Sequence, residues 1–197
     1  MTEVCDPIYD NRFTQVFGFP LERIQTKVRD FLPDPIKAFI AQSPFAVMAT
    51  SGPDGRCDAS PKGGAPGFVR ILDDRHLLVP DVAGNKLFQG YTNMDQNPHV
   101  GLVFFIPGLA EVVRVNGTVR IVDKDELERH DVEESMSHPD GNRDVLQGIV
   151  VQVEEAYGHC PRAINYADLW STSAIEERQG SRKHPLRPPA ASSTPPR

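Results

Sequence analysis

Three short stretches hold the residues best able to do chemistry. The first, Asp81-Val82-Ala83-Gly84-Asn85-Lys86, stands between a strand-like and a helix-like segment. Helix amino termini expose unpaired N–H groups and a partial positive charge, which suits a phosphate. Gly84 lets backbone come close, Asn85 caps or donates, and Lys86 adds charge; the same residues also make a plain turn and helix cap. The Walker glycine spacing is missing. The second stretch, Ser60-Pro61-Lys62-Gly63-Gly64-Ala65-Pro66-Gly67, offers a hydroxyl and an amine on a stiff, approachable backbone. It reads either as a wall of an anionic-ligand site or as a bulged strand connection. The third, His159-Cys160-Pro161-Arg162, leads on to Trp170. Adjacent His and Cys without a second pair at ligand spacing do not make a zinc site, so no metal is expected. Cys160 reads as a buried or interface thiol and Trp170 as a packing residue. His76, His99, His130, His138 and His184 lie near turns or on polar helix faces and read as surface or satisfied histidines. No Ser/His/Asp set, paired-carboxylate motif or nucleophile elbow stands out, and no catalytic residue can be named.

Several elements must position these stretches. Residues 1–19 read as an irregular lead-in. From Pro20, Leu21, Ile24, Val28 and Phe31–Leu32 recur at helical spacing until Pro33 and Pro35, and Ile36, Phe39 and Ile40 begin a short second helix. Phe45 to Thr50, the turn Gly52-Pro53-Asp54-Gly55 and Arg56 to Ser60 read as a hairpin. Residues 68–72 and 76–80 read as another. A helix is expected from about Lys86 to Asp95, then strands at 100–106 and 111–122. Asp123-Lys124-Asp125-Glu126 reads as a capping box opening a helix to about Glu134. A last strand spans 148–154, and a short helix runs from Pro161 to Trp170. Six or seven short strands with helices on the flanks indicate an antiparallel barrel or α+β domain, not a doubly wound parallel sheet. The domain is expected over 20–180. Residues 181–197 hold five prolines and four basic residues without an acid, and read as a disordered tail.

Composition narrows the function classes. The 197 residues are 39% hydrophobic and 24% charged, enough for one sizeable core. The net charge is −6, and losing the four tail charges would take the remainder from −6 to −10. An acidic body argues against general binding of nucleic-acid backbone. Three scattered cysteines, Cys5, Cys57 and Cys160, read as reduced thiols in a cytoplasm. No apolar run is long enough to span a membrane, and the acidic start lacks the pattern of a signal peptide.

Seven motifs occur in order: Ser-Pro-Lys-Gly at 60–63, Pro-Gly-Phe-Val at 66–69, Pro80-Asp81 with Gly84-Asn85, Asn97-Pro98 with Val100-Gly101-Leu102, Phe105 with Pro107-Gly108, Arg-Val-Asn-Gly at 114–117, and His-Cys-Pro-Arg-Ala at 159–163. Together, over about residues 20–170, they resemble the FMN-dependent flavoproteins of the pyridoxamine 5′-phosphate oxidase class, and more closely an uncharacterised bacterial subgroup of it. The resemblance implies an antiparallel Greek-key split β-barrel with flanking helices, paired as a homodimer with FMN in the clefts between subunits. It implies that Lys62 and Gly84–Asn85–Lys86 hold the FMN phosphate. Ser60, Pro61 and Gly63, with Val79 and Pro80, would line the phosphate and ribityl side. His159, Cys160, Arg162 and Trp170 would approach the flavin from the partner subunit. The implied activity is FMN-dependent oxidation or reduction of a small molecule. Alternatives within the fold are a non-catalytic flavin or haem binding module and a reductase using a deazaflavin coenzyme. The sequence departs from the subgroup at Gly64, where an acid is usual, and at Ile164-Asn165-Tyr166, where basic residues are common. The carboxy-terminal substrate pattern of true pyridoxamine-phosphate oxidases has no counterpart, which argues against vitamin B6 oxidation.

Overall fold

The computed structural model describes residues 10–82, 87–130 and 145–180. Its centre is a seven-stranded, wholly antiparallel sheet of β1 (Phe45–Ser51), β2 (Cys57–Gly63), β3 (Arg70–Ile71), β4 (His76–Val82), β5 (His99–Phe105), β6 (Val112–Val122) and β7 (Val145–His159). The strand order is β2-β1-β5-β6-β7-β4-β3. Sequential hairpins β1–β2 and β3–β4 thus end on opposite edges, and the sheet coils into a split barrel with helices on its flanks.

Local chemistry accounts for much of this. Gly55 takes a φ of +81°, which a residue without Cβ adopts cheaply, and its N–H closes the β1–β2 turn on the Gly52 carbonyl at 3.0 Å. Alternation along β1 and β5 sends Ala46, Met48, Leu102 and Phe104 into the core. Leu77–Pro80 of β4 and Gly148–Val151 of β7 are buried without alternation, as strands covered on both faces must be. Helix α3 (Asp34–Gln42) packs Ile40 against this core and carries Pro in its first turn. Helix α4 (Gln89–Gln96) lies over β1 and β2, stopped at the expected Asn97–Pro98.

Several expectations need correction. The lead-in contains α1 (Arg12–Phe17), because Asn11 and Thr14 form a reciprocal capping box. The first long helix shrinks to α2 (Glu22–Gln25): Arg29 instead pairs its backbone with Ala156 of β7, and a sheet partner outweighs helical periodicity. Strand β2 continues through Ser60-Pro61-Lys62 to Gly63, since β1 pairs with every one of these residues. Pro61 is tolerated there because β2 is an edge strand. The strand expected over 68–72 is only Arg70–Ile71, and β7 begins earlier and ends later than expected. Helix α5 (Lys124–Glu128) starts at the Asp123 cap but stops short of Glu134, and residues 131–144 lie outside the described residues. The last expected helix is α6 (Arg162–Tyr166), and α7 (Thr172–Gly180) follows it unannounced. The tail 181–197 also lies outside the described residues.

Candidate functional site

A cleft of about 390 Å³ opens between β2, the end of β4 and the start of α4. The antiparallel register explains which β2 side chains enter it. Asp58, Ser60 and Lys62 stand opposite Thr50, Met48 and Ala46, whose side chains point inward beneath α4. Ala59 and Pro61 alternate to the other face, yet also line the cleft. The cavity therefore wraps around the open edge of β2, where every second backbone N–H and C=O lacks a strand partner.

Lys62 and Asp81 meet across this cleft. The Lys62 ammonium donates to Asp81 Oδ1 at 2.9 Å, with side chains 14% and 24% exposed. Asp81 also accepts from the Tyr91 hydroxyl; burial first, and then this carboxylate, push the Tyr91 phenol far above its usual range and keep it neutral. Lys62 is the one cation of the described lining and faces two carboxylates, Asp58 and Asp81. Asp81 thus holds the amine in place, and an anion must compete with Asp81 for it.

The floor of the cleft is the first turn of α4. Its N-cap is Phe88, in a left-handed conformation with a φ of +50°, and a phenyl ring cannot accept from the helix N–H groups. Gln89, Gly90 and Tyr91 all line the cleft. The Phe88 ring packs edge-on against Tyr91 at 6.2 Å between centroids, which gives the cleft an aromatic wall. Gly90 lets the helix settle on the sheet: a Cβ there would lie 3.6–3.7 Å from Asp58, Met48 and Thr50 side-chain atoms.

The structure gathers only part of the expected site. Ser60, Pro61 and Lys62 line the cleft, while Gly63 pairs with Phe45 at the strand end. Val79 belongs to the hydrophobic core, and Pro80 is buried opposite Gly148. Gly84, Asn85 and Lys86 lie outside the described residues. His159, Cys160, Arg162 and Trp170 are absent from the cleft lining and stand at the end of β7 and beyond it. The Trp170 indole N–H donates to the Leu109 carbonyl at 2.7 Å, tying this segment to the β5–β6 turn. Arg162 donates to the Tyr166 hydroxyl at 2.9 Å and lies over its ring. Cys57 and Cys160 are exposed thiols in the single chain, so of the two settings expected for Cys160, buried or interface, the first does not hold. Among the described residues, no cluster of His, Cys, Asp and Glu could hold a metal ion, and no helix is long and apolar enough to cross a membrane.

Sequence reading missed Asp58 and Tyr91 and left Asp81 without a role. The signal for Asp81 was its place beside Pro80 at the end of a strand. Tyr91 follows the cleft-side Phe88 by three residues, one helical turn, but nothing in the chain order ties either to Lys62.

No curated protein matches this chain. Among solved structures it is similar to HupZ of Group A Streptococcus, at 17% identity and a TM-score of 0.48, covering 64% of this chain and 92% of that one. It is similar to an FMN-binding protein of Syntrophomonas wolfei at 8% identity and a TM-score of 0.48, covering 63% and 80%. It is also similar to General Stress Protein 26 of Bacillus anthracis at 16% identity and a TM-score of 0.42, covering 62% and 89%. The profile of the pyridoxamine 5′-phosphate oxidase family matches residues 32–160. That match takes in more than half of the chain and all seven strands, and the chain belongs to the pyridoxamine 5′-phosphate oxidase family.

Proposed function

We propose that this protein binds FMN and serves as an FMN-dependent oxidoreductase of a small molecule. The observation that carries the reading is a convergence within the family-matched segment. One cleft gathers an amine (Lys62), a hydroxyl (Ser60), an aromatic wall and the open first turn of a helix. Those groups fit the phosphate and ribityl parts of FMN, and the volume lies in the usual range for a small-molecule site. Gly84, Asn85 and Lys86, by the family resemblance, add the remaining phosphate contacts. When bound, FMN supplies the hydride or electron chemistry. The chain's part would be to hold the phosphate with Lys62 and to orient and shield the rest of the group.

The same reading calls for a homodimer. Outward-facing residues of β1, β2 and β5 form an apolar surface: Phe45, Val47 and Ala49 with their partners Ala59, Pro61, Val103 and Phe105. Phe45 is 39% exposed and stacks at a tilt on Phe105. This face meets the cleft at Pro61 and Ala59, so a second copy packed on it would close the flavin between subunits. Light scattering during gel filtration at micromolar concentration is expected to give twice the monomer mass of 21.8 kDa. A monomer at that concentration would contradict the arrangement. The exposed thiols suit a reducing cytoplasm.

The test of function is the absorbance spectrum of freshly purified protein, with mass spectrometry of what heat releases. A flavin spectrum with FMN in the supernatant is expected, together with bleaching when a nicotinamide donor is added. A colourless protein that also refuses added FMN would remove the reading. A bound flavin that no donor reduces would leave a binding module in place of an enzyme.

A further inference from the structure

Asp81 sets the charge balance of the cleft. It accepts from two donors on different elements, the Lys62 ammonium of β2 at 2.9 Å and the Tyr91 hydroxyl of α4. The two donors differ in freedom. The Tyr91 ring packs against the hydrophobic core, so its hydroxyl is fixed in place. Lys62 reaches Asp81 on a long flexible stem and can swing toward another oxygen. The carboxylate cannot follow it, because the short Asp81 side chain stands on β4 backbone pinned opposite Gln147 of β7.

An anion in the cleft meets this arrangement as a competitor. A singly charged group that draws the ammonium away gains one attraction and cancels another of equal size. It also adds repulsion from Asp81 and from Asp58, the second carboxylate of the lining. Asp81 is tethered as well, which gives it a local concentration far above that of a free anion. A dianion gains two attractions for the one lost. Its repulsion doubles too, but acts across a gap, whereas the ammonium is in contact, so the balance turns in its favour. Lys86, which the family resemblance adds to the phosphate contacts, would widen the difference, since it attracts two charges twice as strongly as one. Asp81 then keeps the Tyr91 hydroxyl, and its carboxylate is not left in the cleft wall without a donor.

We propose that Asp81 and Tyr91 select a doubly charged headgroup for this cleft. Asp81 holds Lys62 against single anions, and Tyr91 holds Asp81 when a dianion takes the ammonium. The inference rests on the flavin reading for its ligand and adds what the cleft refuses. Asp81 is the specificity residue, and Tyr91, which acts through it, is a positioning residue.

The test is a flavin fluorescence titration of the full chain with FMN, at neutral pH and constant ionic strength, repeated with sulfate or acetate present. Sulfate, a dianion, is expected to weaken FMN binding as its concentration rises, and acetate to leave it unchanged. In Asp81→Asn both should compete. Tyr91→Phe should weaken FMN about ten-fold, the usual loss of one bond to a charged group, and leave riboflavin binding as it was. Built into Asp81→Asn, the same change should alter FMN affinity by less than about two-fold, which a Tyr91 that merely supported the fold would not show. Acetate that competes as well as sulfate in the unaltered protein overturns the selection, and so does an Asp81→Asn protein that still ignores acetate. A Tyr91→Phe loss of the same size in both backgrounds removes Tyr91 from the selection. Protein that binds no FMN at all removes the flavin reading and this inference with it. FMN binding with no discrimination between the two anions removes this inference alone.

Discussion

Gly117→Ala is expected to leave little or no folded protein. Gly117 lies in β6 where the register with β7 shifts: Asn116 pairs with Glu155, but Gly117 pairs with Val153, so β7 carries an extra residue there. The bulge drives the β7 backbone against β6. A Cβ at position 117 would overlap the Gln152 carbonyl oxygen and crowd the Val153 Cα. Those atoms are main chain in the middle of the sheet, and they cannot swing aside as a side chain can. Relief requires parting the β6–β7 ladder, the longest in the sheet, at a cost of about 4–5 kcal/mol or more. A domain with net stability of about 5–15 kcal/mol cannot absorb much of that. Gly158→Ala is the control, because a Cβ there meets nothing within 4 Å and the residue lies in the same strand pair. Thermal unfolding followed by circular dichroism compares the two. If Gly117→Ala melts within a few degrees of Gly158→Ala, the bulge does not require the glycine.

Lys62→Met and Asp81→Asn are expected to move FMN affinity in opposite directions. Lys62 is the amine of the cleft, and its loss removes a charge-assisted contact worth about 1.5–3 kcal/mol, roughly ten- to a hundred-fold in affinity. Asp81 holds that amine at 2.9 Å and adds a negative charge where a phosphate would bind. The asparagine keeps an oxygen to accept from Tyr91 but drops the charge, so FMN should bind about ten-fold more tightly. Flavin fluorescence titrations with FMN and riboflavin read both effects. Riboflavin lacks the phosphate and should respond little to either change. Should FMN and riboflavin shift together in both variants, Lys62 and Asp81 act on the ribityl chain or on stability, and the phosphate lies elsewhere.

Much of the barrel was legible in residue order. The turn Gly52-Pro53-Asp54-Gly55, the stop at Asn97–Pro98 and the Asp123 cap each act through their own backbone, and each recurs in the structure at its expected place. The alternation in β1 and β5 is similarly local, because side chains on a strand alternate whatever its neighbours are. Errors came where a distant partner outweighed a local preference. Arg29 left its helix for Ala156, and Ser60-Pro61-Lys62 became strand because β1 was there to pair with it.

The candidate site divides the same way. The chain's own order announced an amine and a hydroxyl on β2 and a strand-to-helix junction after Pro80, since those are chemical types at short spacing. It was silent on the capture of Lys62 by Asp81, 19 positions away, and on the burial that keeps Tyr91 neutral. It was equally silent on the meeting of Lys27 with Arg114 over the Tyr157 ring. Electrostatic environment depends on which charges end up within a few ångströms, and strand register and the path of the connections settle that only once the sheet has closed. Element types and their order therefore belong to the amino-acid sequence, whereas the charge state and partners of each functional group belong to the folded sheet.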